Sequence, residues 1–279
     1  MIIAAYAGTG KSTFAARFPN AADVVSMPRS WILPPIAPEG ETELEKGKLD
    51  RLRDPLYPEN YIIDILRAEQ EYDYVLIPTT MQVIPKLREE YGRKVVLCYP
   101  ADELKEEYRE RFAARGNGED FLDLFIGTWD SFLEPVREYQ DAVHIVMGSG
   151  VYLTDLKERL DIELLSDDTE PVSEETIAAL EGELQDQRHD FALRIGWDFW
   201  YRISDVLNPD ERVFLAELAR RACEDNVYPP CMIMPRSFAE ERLRPECVIT
   251  DDRARAMEYL EKYQEEVWEK FDEWRGSND

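Results

Sequence analysis

A chain of 279 residues has room for one large α/β domain, or for a domain of about 150 residues followed by a second unit. An apolar fraction of 44%, with 11% aromatic residues, supplies a true core and excludes an intrinsically disordered chain. The formal net charge of −26 is acidic in both halves and heavier in the second. Such a surface repels a polyphosphate backbone, which argues against broad nucleic-acid binding but leaves room for a small nucleotide in a local basic pocket.

Cys98, Cys223, Cys231 and Cys247 follow no metal-ligand spacing, and only His144 and His189 could join them. They read as reduced, apolar-like residues rather than zinc ligands. No apolar run reaches membrane-spanning length, and Met1 leads straight into a strand-like segment instead of a charged leader. The expectation is a cytoplasmic protein with no membrane partner.

Along the first 150 residues, short apolar runs at 2–7, 23–27, 74–78, 94–99 and 143–147 read as strands covered on both faces. Helical patterns lie between them at about 11–18, 59–70, 81–91, 103–114 and 119–139, with Pro85 and Pro135 softening two boundaries. Strand–helix alternation predicts an α/β fold, a parallel sheet sandwiched by helices. Residues 28–58 carry six prolines around a charged segment, so they read as a long excursion of the lid or substrate-loop kind. After about residue 155 the pattern turns helical. Asn208-Pro209-Asp210-Glu211 forms a helix start, residues 188–207 place Phe191, Ile195, Phe199 and Ile203 on one face, and a final stripe runs from Met257 to Trp274. The acidic patch 166–170 ahead of Pro171 is the candidate boundary. The resulting division is a P-loop nucleotide-binding domain over 1–160 and an acidic helical extension over 161–279, available to a protein partner.

Chemistry concentrates in Ala5-Tyr6-Ala7-Gly8-Thr9-Gly10-Lys11-Ser12, a phosphate-loop pattern with alanine at the first glycine position. Gly8 and Gly10 let the backbone curl so that successive N–H groups face phosphate oxygens, with Thr9 and Thr13 in the same cradle. Lys11 would reach the outer phosphates of ATP, Ser12 would offer its hydroxyl to Mg²⁺, and the helix starting near Lys11 adds its positive end. An apolar strand before the loop and a helix after it supply the expected context. The third strand, however, ends in Pro78-Thr79-Thr80, and Asp73 stands at its opposite end, so no second metal-side acid is evident. Arg111 and Arg115 share a helix face and precede Gly116-Asn117-Gly118, which suits a lid over transferring phosphates; the alternative is a solvated face paired to Glu106, Glu107 and Glu110.

With these residues stand Tyr57-Pro58-Glu59-Asn60-Tyr61, Tyr72-Asp73-Tyr74-Val75, Tyr99-Pro100, Leu104-Lys105-Glu106-Glu107-Tyr108 and Val151-Tyr152-Leu153-Thr154-Asp155. Over roughly residues 1–160 the sequence resembles the nucleoside monophosphate kinase-like group of P-loop proteins, closest to its small phage and gut-bacterial deoxynucleoside monophosphate kinase-like members. The resemblance implies ATP at the loop, an acceptor nucleotide or related small phosphate under the 28–58 excursion, lid arginines at Arg111 and Arg115, and Gly148-Ser149-Gly150 near the donor base. Where the family has an acidic or serine-rich turn, this chain has Ser26-Met27-Pro28-Arg29, so Arg29 either grips an acceptor phosphate or is a surface arginine. The functional expectation is γ-phosphoryl transfer from ATP, with Lys11, Arg111 and Arg115 as the catalytic cations. A nucleotide-dependent switch that recruits a partner through the C-terminal helices stands as the alternative.

Overall fold

The computed structural model describes residues 1–32, 52–188, 191–194, 199–202, 232–235, 248–259 and 261–262, together with Asp210, Phe214 and Leu215. The chain divides into two compact units, one of residues 1–26 and 58–180, the other of residues 27–57 and 181–279.

The first unit is built on five strands: β1 (Ile2–Ala5), β2 (Ala21–Asp23), β3 (Tyr74–Pro78), β4 (Val95–Pro100) and β5 (Val143–Met147). All pair in parallel, in the order β2-β3-β1-β4-β5. The central β1 carries Ile2, Ile3, Ala4 and Ala5, each at 0% exposure, because side chains alternate between faces and helices cover both. On one face Ile3 and Ala5 pack with Leu76, Val96 and Cys98 against Phe14 and Leu160.

The helices are α1 (Lys11–Arg17), α2 (Glu59–Glu71), α3 (Ile84–Glu89), α4 (Lys105–Ala114), α5 (Trp129–Glu138), α6 (Lys157–Leu165) and α7 (Glu174–Arg188). Pro85 falls in the first turn of α3, where its missing N–H is harmless, and Pro135 lies inside α5. The stretch expected as one helix over 119–139 is broken into a short helix at Glu119–Leu122, a π-helical turn at Asp123–Gly127, and α5.

The acidic patch 166–170 belongs to the first unit. Lys94 Nζ donates to Glu163 O at 2.9 Å and to Ser166 Oγ at 2.8 Å, Arg93 donates to the Glu170 carbonyl, and Gln70 donates to Val172 O at 2.8 Å. Beneath that strap, Arg93 and Glu69 form a buried two-point pair, Nε to Oε2 at 2.8 Å and Nη2 to Oε1 at 3.1 Å, with side chains only 3% and 2% exposed.

In the second unit the helical expectation for 188–207 gives way to strands at Phe191–Arg194 and Phe199–Arg202. They pair antiparallel in a four-stranded sheet whose outer members are Met232–Pro235, antiparallel, and Val248–Thr250, parallel. The expected stripe places apolar residues four apart, a spacing that also satisfies the two-residue strand period. Gly196 and the run Phe199-Trp200-Tyr201 tip the balance to strand, so the region after 160 is not helical throughout. The excursion contributes a short helix at Met27–Ser30 and strands at Trp31–Ile32 and Leu52–Arg53, which pair antiparallel. Of the helix expected over 208–223, only Asp210, Phe214 and Leu215 are described, and they are helical. Met257 sits on a described helical stretch, while the stripe from Leu260 to Trp274 lies, apart from positions 261–262, outside the described residues. Cys98 is a buried free thiol; Cys223, Cys231, Cys247 and His189 also lie outside them.

Removing Arg93 leaves the buried Glu69 carboxylate with only the Met1 ammonium, 3.6 Å away, so Arg93→Ala is expected to lower unfolding stability by about 3 kcal/mol. Urea denaturation of the variant against wild type measures the loss.

Candidate functional site: the loop after the central strand

In an open parallel sheet, ligands bind beyond the carboxyl ends of the strands, where the connections leave to opposite sides. Here that point lies between β1 and β4. The loops after β1, β4 and β5 meet there around a cavity of about 790 Å³.

The loop after β1 is anchored below. Tyr6 N donates to Cys98 O at 2.9 Å, its hydroxyl donates to Phe125 O at 2.9 Å, and its ring stands edge-on to Trp129 and Phe132 at 5.4 and 5.7 Å. Burial pushes the Tyr6 phenol far above its ordinary range, so it stays a neutral donor. Gly8 and Gly10 hold φ of 79° and 93°, a left-handed conformation that disfavours side chains. A Cβ on Gly8 would also stand 2.8 Å from the Phe112 ring, and one on Gly10 3.3 Å from Tyr152. Thr9 is buried, its hydroxyl donating to Tyr6 O at 2.7 Å and its carbonyl accepting from Leu153 N at 3.0 Å. Among the described residues, the amides of Gly10, Lys11, Ser12 and Thr13 donate to no acceptor.

Lys11 extends back beneath this loop, where Nζ donates to Ala5 O at 2.8 Å and to Tyr6 O at 3.4 Å. Loss of solvent brings its pKa down to about 8, with Asp23 opposing the shift and Arg115 adding to it. Ser12 Oγ donates to Asp23 Oδ2 at 2.6 Å, and Asp23 Oδ1 is shielded from solvent with no hydrogen-bond partner. Asp23 ends β2, where the sequence pattern placed a strand's beginning. The third strand has no acid at its carboxyl end, but the second, one strand further out in the sheet, ends in Asp23. Among the described residues no cluster of three or more His, Cys, Asp or Glu side chains forms a metal site.

The two arginines of α4 have different surroundings. Arg111 is 8% exposed and its guanidinium lies over the rings of Tyr108 and Tyr152, 4.6 and 4.2 Å from their centroids. Its nitrogens donate to Glu107 Oε1 and, at 3.3 Å, to the carbonyls of Gly8 and Val151. Arg115 is exposed and lines the cavity, and its side chain makes no hydrogen bond or ion pair with a described residue. Arg109 turns away and pairs with Glu106 at 3.2 Å. Gly116 and Asn117 close the helix. Gly116 N donates to Ala113 O and Asn117 N to Phe112 O, with Gly116 at φ 79°, the Schellman arrangement. Gly116-Asn117 is thus a hydrogen-bonded helix stop.

Glu107 accepts from Gly150 N at 3.0 Å. The Gly150 amide, the Ser149 hydroxyl and Arg111 hold its carboxyl below the ordinary range. Gly148-Ser149-Gly150 is thereby fastened to α4. Phe121 and Phe125, stacked 4.4 Å apart, line the cavity further out. Of the sequence-derived candidates, Gly8, Gly10, Lys11, Ser12, Thr13, Arg111 and Arg115 line the cavity, and Thr9 lies buried in the loop. Arg29 is exposed on the short helix of the second unit. Glu107, expected only as a pairing partner of the α4 arginines, does pair with Arg111 and also holds Gly150 N, while the sequence pattern gives Asp23 only the start of a strand and assigns Tyr152 no role. No family model matches the sequence, and no curated protein matches it.

The Lys11 shift has a stability consequence. Below about pH 8 both folded and unfolded chains carry its proton; between 8 and the ordinary value of 10.5 only the unfolded chain does. Stability should therefore rise with pH across that window, by at most roughly 3 kcal/mol from this group. In urea unfolding at pH 7.5 and 10, that increment should be present in wild type and missing in Lys11→Met.

Proposed function

We propose that residues 5–12 form a phosphate-binding loop for ATP, and that the first unit transfers the γ-phosphoryl group to a nucleotide or related small phosphate. The observation that carries this reading is the run of unengaged amides from Gly10 to Thr13 beside the Lys11 ammonium, in a loop held by two left-handed glycines. Amides without acceptors, in residues lining a cavity that Lys11 and Arg115 also line, suit an anionic oxygen cluster. Lys11 and Arg115 would stabilise the charge on the transferring group as the bond to the leaving ADP oxygen breaks and the acceptor oxygen bonds to phosphorus. An acceptor phosphate is already anionic, so no protein base is required.

Ser12 and Asp23 fit Mg²⁺ carried in with the nucleotide: a hydroxyl and a carboxylate lie together, and Asp23 Oδ1 is a buried acceptor without a donor. The ion would neutralise phosphate charge. The alternative, a nucleotide-dependent switch acting through a partner, draws on the size of the second unit, residues 27–57 and 181–279.

ADP release from Mg·ATP across a panel of nucleoside and deoxynucleoside monophosphates tests the reading. Acceptor-dependent turnover that disappears in Lys11→Ala is the expected result. Absence of turnover with every acceptor, alongside an ATP-induced rise in melting temperature, would move the function to the switch. Asp23→Asn is expected to raise the Mg²⁺ concentration for half-maximal turnover by about tenfold or more; an unchanged Mg²⁺ titration would remove Asp23 from the ion's surroundings.

A further inference from the structure

Arg111, in α4, and Arg115, the residue that caps its C-terminus, are one helical turn apart, and the sequence treats them alike. We infer that they have separate tasks: Arg111 is a positioning residue that locks the loop after β1 to the segment 150–153, and Arg115 is the arginine that meets bound phosphates. The inference rests on the phosphate-loop reading above.

The geometry around Arg111 leaves its guanidinium little to offer a ligand. Two tyrosine rings lie against it, and its donors are spent on Glu107, Gly8 O and Val151 O. Those carbonyls belong to two different loops. The Gly8 carbonyl, which would repel a phosphate oxygen, is engaged by a cation instead. The two loops are also joined directly through Leu153 N to Thr9 O at 3.0 Å and through Tyr152 against Gly10. Glu107 completes the clasp, accepting from both Arg111 and Gly150 N. A planar fork packed on two rings and bonded on several edges is a task lysine cannot perform, although lysine keeps the charge. Arg115, by contrast, is solvent-exposed, its side chain without a described partner, and close enough to Lys11 to lower its pKa.

The test compares Arg111→Lys, Glu107→Gln and Arg115→Ala with wild type, using amide hydrogen exchange without ligand and ATP binding by calorimetry at several salt concentrations. Arg111→Lys is expected to speed exchange at residues 6–10 and 150–153 at least tenfold while leaving α2 and β3 unchanged. It should weaken ATP binding about tenfold with an unaltered salt dependence, because charge is retained. Arg115→Ala is expected to leave loop exchange as in wild type, weaken ATP binding about tenfold, and flatten the salt dependence. If Arg111→Lys unfolds, Glu107→Gln is read by the same exchange measurement, with acceleration at 150–153 expected. Unchanged loop exchange in the folded variant, or a flattened salt dependence in Arg111→Lys, overturns the assignment. If wild type binds no ATP, the phosphate reading and the Arg115 task fall together, whereas accelerated loop exchange in Arg111→Lys still upholds the positioning task.

Discussion

The ammonium of Lys11, held against the carbonyl oxygens of Ala5 and Tyr6, is the contact around which the first unit is organised. The central strand of a parallel sheet is bonded on both sides, so its chain must leave at the carboxyl end and its last carbonyls run out of ladder partners. A neutral donor would satisfy them, but a lysine also brings a buried positive charge. Burial works against that charge, and the carbonyls and Asp23 compensate in part. A partly compensated cation attracts anions, and here it is the same group that finishes the strand.

Rigidity around that charge comes from aromatic packing. Tyr6 is encircled by Tyr108, Phe125, Trp129 and Phe132, and its hydroxyl reaches the Phe125 carbonyl in the π-helical turn. Phe112, packed within the same group, stands so close to Gly8 that only glycine fits. Preorganisation of this kind fixes dipoles and charges before a ligand arrives, which is how a site avoids reorganising at the moment of binding. Three connections, after β1, β4 and β5, thus converge on one volume because the strand order brings β1, β4 and β5 side by side.

The first unit was legible because its signals are local. Nearly continuous apolar runs such as Tyr74–Pro78 and Val95–Pro100 have few alternatives to a doubly covered strand, and glycine spacing in the loop forces a narrow set of backbone shapes. The second unit was less so. Residues 191–203 repeat every fourth position, and that repeat does not discriminate between helix and strand; the long-range pairing of Phe191–Arg194 with Met232–Pro235 resolved it.

Residue type and spacing by themselves determined the parallel α/β class, the loop and its Gly8, Gly10, Lys11 and Ser12, since each depends on contacts within a few residues along the chain. Tertiary structure alone decided that Asp23 stands beside Ser12, that Glu107 grips Gly150, and that Arg111 is enclosed while Arg115 is open. Helical spacing gives the two arginines the same face, but what covers that face comes from Tyr152 and Val151, some forty residues away, and their approach follows from the pairing of β4 with β5.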